Sequence, residues 1–256
     1  MTKDPTQRFS KTVSNYVKFR PGYPPAIINF MQEQLGMKQD AVIADIGSGT
    51  GKLTELFLKE GYSLYGVEPN EAMRQAGEDL MGHYPNFKSF GGTAEHTGLA
   101  DKSVDFIVAA QAFHWFEIPE ARKEFLRILR PGGQVLLIWN KRVDEASNFM
   151  QAYNDYINQY STDLKKVNLR FINHDDFRLF FGHSNYQLEN LYDNIQVFDF
   201  EGLKGRYLSC SYALDNDHPQ YQEAMDKIEQ IFEINEQNGK VNMVYRTEIH
   251  YGPLLA

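Results

Sequence analysis

The apolar positions of this chain change period several times, and the changes lay out its elements. From Pro24 or Pro25 onward Ile27, Met31 and Leu35 share one helical face, and Gly36 stands where that helix should stop. Strand-like runs then alternate with helical ones: 41–46 with 50–60, 62–68 with about 70–82, 87–92 with a short turn, 104–110 with about 118–130, and 134–139. This alternation predicts an α/β fold, a parallel sheet with helices on both faces. After Asn140 the pattern breaks. Residues 141 to about 194 are rich in Asn, Asp, Tyr and Phe, with one helix expected near 147–161, and read as an insertion outside the sheet. The fold resumes with a strand over 196–200 and a helix over 219–237, where Tyr221, Met225, Ile228 and Phe232 share a face before Gly239. The closing run Val241–Tyr251 alternates as a half-buried strand should.

The chemistry begins at Ala41-Val-Ile-Ala-Asp-Ile-Gly-Ser-Gly-Thr-Gly-Lys-Leu-Thr54, a strand that runs into glycines at every second position. Gly47, Gly49 and Gly51 can take positive φ and, without Cβ atoms, let a ligand approach the backbone. The helix behind them, marked by Leu53, Leu56 and Phe57 and ended by Gly61, would point its free N–H groups at whatever the turn holds. The next strand ends in Glu68, about 20 residues after the glycines, where an acid accepts hydrogen bonds from ribose hydroxyls. The pattern means a nucleoside-containing ligand. A dinucleotide fingerprint would put its third glycine at Lys52, one residue later than here. A phosphate loop fails at both ends, since Leu53 takes the Ser/Thr position and Ile46 that of the first glycine.

Asp45-Ile-Gly-Ser-Gly-Thr-Gly51, Glu68, Gly91-Gly-Thr-Ala-Glu-His-Thr-Gly-Leu99, Ser103-Val-Asp-Phe-Ile-Val-Ala-Ala110 and Leu129-Arg-Pro-Gly-Gly133 occur in one order and spacing. Over roughly residues 40 to 140 the chain thereby resembles the class I S-adenosylmethionine-dependent methyltransferases of the small-molecule, type 11 group. Tyr16-Val-Lys-Phe-Arg-Pro-Gly-Tyr-Pro24 and Ala112-Phe-His-Trp-Phe116 narrow the resemblance to enzymes related to the trans-aconitate methyltransferases. It implies a Rossmann-like fold with a seven-stranded, mostly parallel sheet whose last strand is antiparallel. It also implies an arm and helix over 1–36 as a lid and a cofactor-binding core over 37–140, while the break in alternation makes 141–194 the candidate substrate lid and leaves 195–256 as the rest of the core. S-adenosyl-L-methionine is the implied cofactor. Its residues would be Asp45, Gly47, Ser48, Gly49, Gly51, Glu68, Pro69, Met73, Thr93, Ala94, Glu95 and Gln111, although many relatives carry Asp where Thr93 stands.

The expected reaction is methylation of a small metabolite on a carboxylate or hydroxyl oxygen by in-line displacement, relying on alignment more than on a base. No side chain declares itself as a base. His114, beside Trp115 at the end of the fourth strand, is the candidate, against the ordinary fate of a satisfied half-buried histidine. Arg20 and Tyr23, with Tyr16, form the candidate lid over a ligand carboxylate, against a plain packed arm. Arg142, Tyr245 and Arg246 are weaker substrate contacts, since an exposed arginine is usually just solvated. The alternatives are an NAD-dependent oxidoreductase and a non-catalytic nucleotide-binding module on the same fold.

Composition trims the rest. A chain of 256 residues with net charge −8 can bury a large core but offers no clustered basic excess for nucleic acid. The expected partner is a small-molecule methyl acceptor, with no nucleic acid and no membrane, for a monomer or homodimer. Residues 1–10 have no apolar signal core and no run approaches a membrane span, so a cytoplasmic location is expected. The histidines show no ligand spacing, and no metal is expected. The single cysteine, Cys210, reads as a bland buried thiol without electropositive neighbours.

Overall fold

A computed structural model describes residues 17–162, 172–182, 186–210 and 212–254. Helix α1, Ala26–Leu35, ends at Gly36 with φ 67°. Then follow β1 (Val42–Ile46), α2 (Thr54–Lys59), β2 (Ser63–Val67), α3 (Glu71–Met81), β3 (Phe87–Phe90), β4 (Val104–Ala110), α4 (Ile118–Ile128) and β5 (Leu129–Arg142). The C-terminal part adds α5 (Asn148–Gln159), α6 (His174–Phe181), β6 (Gln187–Phe198), α7 (Phe200–Leu208), α8 (Tyr221–Asn235) and β7 (Val241–Pro253).

All seven strands join one sheet in the order β3-β2-β1-β4-β5-β7-β6, with β7 antiparallel to both of its neighbours. This is the expected Rossmann-like α/β sheet. Alternation along β1 divides the core: Ile43 packs under α1 and α2, while Ala44 and Ile46 face α4 and α6. β4 is buried through Phe106–Ala109, and each large apolar side chain sealed there contributes about 1.5–3 kcal/mol. A third apolar cluster joins α5, α7 and α8 to the first residues of β7 and builds a cap beside the sheet edge.

Four details correct the expected elements. The second helix begins at Thr54 rather than residue 50, because Gly47–Leu53 stay in the turn. β6 starts at Gln187, inside the stretch read as an insertion up to 194. Its polar residues are held by pairing: Asn194, 8% exposed, donates to Asn140 Oδ1 at 3.0 Å and Thr247 Oγ1 at 3.3 Å. Phe200 opens α7 instead of closing a strand, since the Asp199 side chain accepts from the Gly202 amide as an N-cap. α6, capped by Asn173 and Asp176, buries Phe177, Phe180 and Phe181 from the aromatic segment against the sheet.

Among the described residues no helix is long and apolar enough to cross a membrane. Among them, no group of three or more His, Cys, Asp or Glu side chains could hold a metal ion.

Candidate functional site

The turn after β1 closes because its amides find partners on β2. Gly47 and Ser48 N–H groups donate to the Val67 carbonyl at 2.8 and 3.1 Å, and Gly49 N–H donates to Glu68 Oε2 at 2.9 Å. Glu68 Oε1 accepts from the Asn70 amide at 2.8 Å, so one carboxylate ties the turn to the start of α3. Asn70 in turn caps that helix, its side chain accepting from the Met73 amide at 3.0 Å. Burial pushes the Glu68 pKa up, and the Asn70 and Gly49 amides and Arg74 only partly pull it back.

A cavity of about 310 Å³ opens at the carboxyl ends of β1, β2 and β4, where the strand order reverses. Gly47 and Gly49 form its floor, with Glu68, Pro69 and Met73 on one side, Thr93, Ala94 and Glu95 on the next, and Gln111 opposite. Asn70, Ala110, Ala112, Trp115, Phe116 and Glu117 complete the wall. The sequence pattern does not mark these six as wall residues. The helix-capping position of Asn70 was a usable signal, but the inward turn of Trp115 and Phe116 follows from a 3₁₀ turn over Phe113–Trp115 that has no local signature.

Two wall residues are held by the backbone around them. Glu95 Oε1 accepts from the Glu117 amide at 2.8 Å, joining the loop after β3 to α4. Gln111 sits at φ 56°, left-handed for a residue with a side chain, which costs roughly 1–3 kcal/mol and marks strain at the cavity. Its N–H donates to the Ile138 carbonyl at 2.8 Å and its Nε2 to the Asn140 carbonyl at 3.2 Å.

Asp45, Ser48 and Gly51 lie outside the lining. Asp45 is sealed under the turn, 1% exposed, where Oδ2 accepts from Thr54 Oγ1 at 2.7 Å and Oδ1 has no partner. Burial first, then the nearby Glu68 charge, raises its pKa to about 7 against the Thr54 hydrogen bonds.

His114 is half-buried in the 3₁₀ turn with its ring centroid 4.9 Å from Trp115, and it is not on the cavity wall. Tyr23 packs on the core around α1. Arg20 turns away toward the cap, where Nη2 donates to the Ser209 carbonyl at 3.1 Å. Tyr16 lies outside the described residues. The arm is fastened through its own carbonyls: Lys52 Nζ donates to Val17 at 2.6 Å, Gln196 Nε2 to Phe19 at 3.3 Å, and Asn140 and Asn194 to Gly22 at 3.0 and 3.2 Å. The arm thus runs from the glycine turn to the cap.

The cap corrects the reading of Cys210. Arg206, one helical turn earlier, donates Nη1 to Sγ at 3.0 Å. Burial would raise the thiol, yet Arg20, Arg206 and the Tyr212 hydroxyl bring it down to about 7. Arg142 is likewise no solvated arginine, for its guanidinium lies 5.7 Å from the Tyr153 ring centre. Tyr245 is 1% exposed, its hydroxyl accepting from Arg206 Nε at 3.1 Å.

Comparison with known proteins agrees with this geometry. Residues 44–137 match the family described as a methyltransferase domain. An uncharacterized methyltransferase of Mycobacterium tuberculosis is 34% identical over 155 residues, 60% of this chain and 60% of that protein. The match therefore spans about 60% of the length of such curated relatives. Among solved structures, a candidate type II methyltransferase of Anaeromyxobacter dehalogenans superimposes with TM-score 0.61 at 18% identity, over 93% of this chain and 99% of that one. An S-adenosylmethionine-dependent methyltransferase of Geobacter sulfurreducens, solved with S-adenosyl-L-homocysteine, gives TM-score 0.52 at 14% identity over 99% and 100%. The fold and the glycine-turn site define a class I methyltransferase architecture. Residues 44–137 of this chain form a methyltransferase domain.

Proposed function

We propose that the protein transfers the methyl group of S-adenosylmethionine to an oxygen of a small metabolite. The observation that carries this reading is the cavity at the strand switch point, walled by the glycine turn and Glu68. The residues fit the cofactor. Gly47 and Gly49 leave backbone bare on the floor, Glu68 presents a carboxylate at the wall, and Asp45 keeps an unpartnered oxygen beneath the turn. Glu68 would hold the ribose hydroxyls and Thr93, Ala94 and Glu95 the adenine edge. Met73 would pack on the adenosine, and Gly47, Gly49 and Gln111 would border the methionine part.

Bound there, the cofactor supplies a methyl group already activated on a sulfonium. The titratable side chains of the wall are Glu68, Glu95 and Glu117, and two of these carboxylates already accept amide hydrogen bonds. Alignment and exclusion of water therefore carry the rate, and a carboxylate acceptor needs no proton removed.

Calorimetry with S-adenosylhomocysteine and NAD side by side tests the reading. Glu68→Ala should weaken the first by ~1.5–3 kcal/mol, the range for hydrogen bonds to a charged group. Unchanged affinity in a variant with wild-type circular dichroism refutes the ribose role, and binding of NAD alone refutes the function.

The arm over 17–23 and parts of 141–194 are proposed as the lid over the acceptor. Phe19 lies so close to α7 that a Cβ at Gly205 would fall 2.2 Å from the Phe19 ring. Gly205→Ala should favour the helix by about 1 kcal/mol while expelling that ring. We expect several-fold faster trypsin cleavage after Lys18, since the Arg20–Pro21 bond resists the protease, with cofactor affinity within about twofold. Cleavage at the wild-type rate would show that Phe19 does not hold the arm down.

A further inference from the structure

The cap buries positive charge that nothing of the domain's own chemistry explains. Arg206 is 4% exposed, and its guanidinium meets a phenol and a thiol, Tyr245 and Cys210. Among the described residues no carboxylate pairs with it. Arg142 lies close by, mostly buried, with Asp144 at a long 3.5 Å as its acidic neighbour. The charge of Arg20, on the arm, also acts on that thiol. Tyr153 lies among Arg206, Cys210, Tyr212 and Arg142, wholly buried, and its hydroxyl has no hydrogen-bond partner.

Each of these is costly alone. A buried guanidinium without a carboxylate forfeits several kcal/mol of hydration, and a buried hydroxyl left unmade costs about 1–3 kcal/mol. The guanidiniums of Arg206 and Arg142, both acting on the Tyr153 hydroxyl, repel one another as well. A structural cluster would carry acids to offset them, as Glu124 does for Arg127 at 2.7 Å on α4. The Cys210 thiol offsets part of this charge at most, and the component that would balance the rest is an anion with acceptor oxygens.

We infer that Arg206, Arg142 and Tyr153 form the binding site for a carboxylate of the methyl acceptor, with Cys210 holding the Arg206 guanidinium until that carboxylate arrives. The guanidinium is a planar fork that matches a carboxylate with two parallel hydrogen bonds, and the Tyr153 hydroxyl supplies a third donor. The arm runs from the glycine turn to this site, since Val17 is tied to Lys52 just after the turn and Arg20 to Ser209 at the end of α7. The inference rests on the methyl-transfer reading, because it takes the acceptor to be the ligand.

The test uses the whole protein and a fixed panel: succinate, fumarate and citrate, trimethyl citrate as the neutral counterpart, and inorganic phosphate. Thermal melts and calorimetry are run on wild type, Arg206→Met and Tyr153→Phe, with S-adenosylhomocysteine binding measured on all three. At least one carboxylate should raise the wild-type melting temperature while trimethyl citrate does not. Without ligand, Arg206→Met should melt at or above wild type, because an unpaired buried charge has been replaced by an apolar chain of similar length, and it should lose the carboxylate response. Tyr153→Phe should bind that carboxylate about tenfold more weakly, one charged hydrogen bond's worth. Both variants should bind S-adenosylhomocysteine as wild type does. A lower melting temperature for Arg206→Met would make the arginine structural and overturn the inference. So would no response to any carboxylate, a response kept in Arg206→Met, or phosphate binding more tightly than every carboxylate. Failure of wild type to bind S-adenosylhomocysteine would instead overturn the methyl-transfer reading.

Discussion

Gly47→Ala should cost about 2–5 kcal/mol of stability and remove cofactor binding from whatever protein still folds. Two effects add. The residue sits at φ 71°, where a side chain costs roughly 1–2 kcal/mol. Its new Cβ would also lie 2.6 Å from Ala112 Cβ, a short rigid side chain that cannot swing aside, and overpacking of that kind costs about 1–3 kcal/mol. Ala112 stands at the end of β4 on the far wall of the cavity, so relief of the clash would move one wall off the other. Denaturant midpoints and S-adenosylhomocysteine calorimetry read the two losses separately. Gly49→Ala is the comparison: it shares the positive φ, but its Cβ would meet only the flexible end of Met73 at 3.5 Å, so its stability loss should be smaller. Equal losses at the two positions would mean that strain, not the contact with Ala112, sets the cost.

Asp45→Asn should reverse the way stability depends on pH. The folded protein raises the Asp45 pKa from 3.8 to about 7, so the folded state prefers the protonated acid. Stability from this group is complete below the unfolded pKa and is lost as pH rises through the folded one. Over that window the loss is on the order of 4 kcal/mol for a shift of this size. His250 works in the opposite sense. Burial lowers its pKa from 6.5 to about 4 as it stacks 3.9 Å from Phe177, so its contribution is lost as pH falls through that range. The two partly cancel in the wild type. With Asn at position 45 the Thr54 hydroxyl keeps an acceptor while the titration is gone, leaving stability that rises with pH from about 4 to 6.5. Urea midpoints at pH 5 and pH 8 check this: the variant should gain on the wild type as pH rises. A constant difference between the two proteins would show that Asp45 does not titrate on folding.

The glycine-turn wall of the cavity was legible because it is local. β1, its glycines and Glu68 announce themselves through a change of period, a residue type that tolerates positive φ, and an offset fixed by one helix and one strand. What stayed hidden depends on partners distant in sequence. β6 carries Asn190 and Asn194 where a strand pattern wants apolar residues, and only its pairing with β7 makes it a strand. Phe198-Asp-Phe200, the run leading into α7, reads as β-former until Asp199 is seen as a cap, and the helix contains two glycines, Gly202 and Gly205. The surroundings of Cys210 come from the arm, α5, α7 and the segment after α7. Of these only Arg206, four residues upstream on the same helix, could have been found from spacing alone.

The placement of β7 between β5 and β6 has a consequence for biosynthesis. As the chain leaves the ribosome, β1 through β5 can pair in order, but β5 then presents a bare edge and β6 has no neighbour to join. Leu188, Ile195 and Val197 remain about half exposed on β6 even in the finished sheet, so this is a sticky strand to leave waiting. Only when residues 241–253 emerge does one strand bond both edges at once. The cap closes with it, since Val241, Met243 and Tyr245 belong to the same strand. The nascent chain therefore spends a vulnerable interval with β1 through β5 already built and its aggregation-prone edge uncovered, the period in which a chaperone has most to protect.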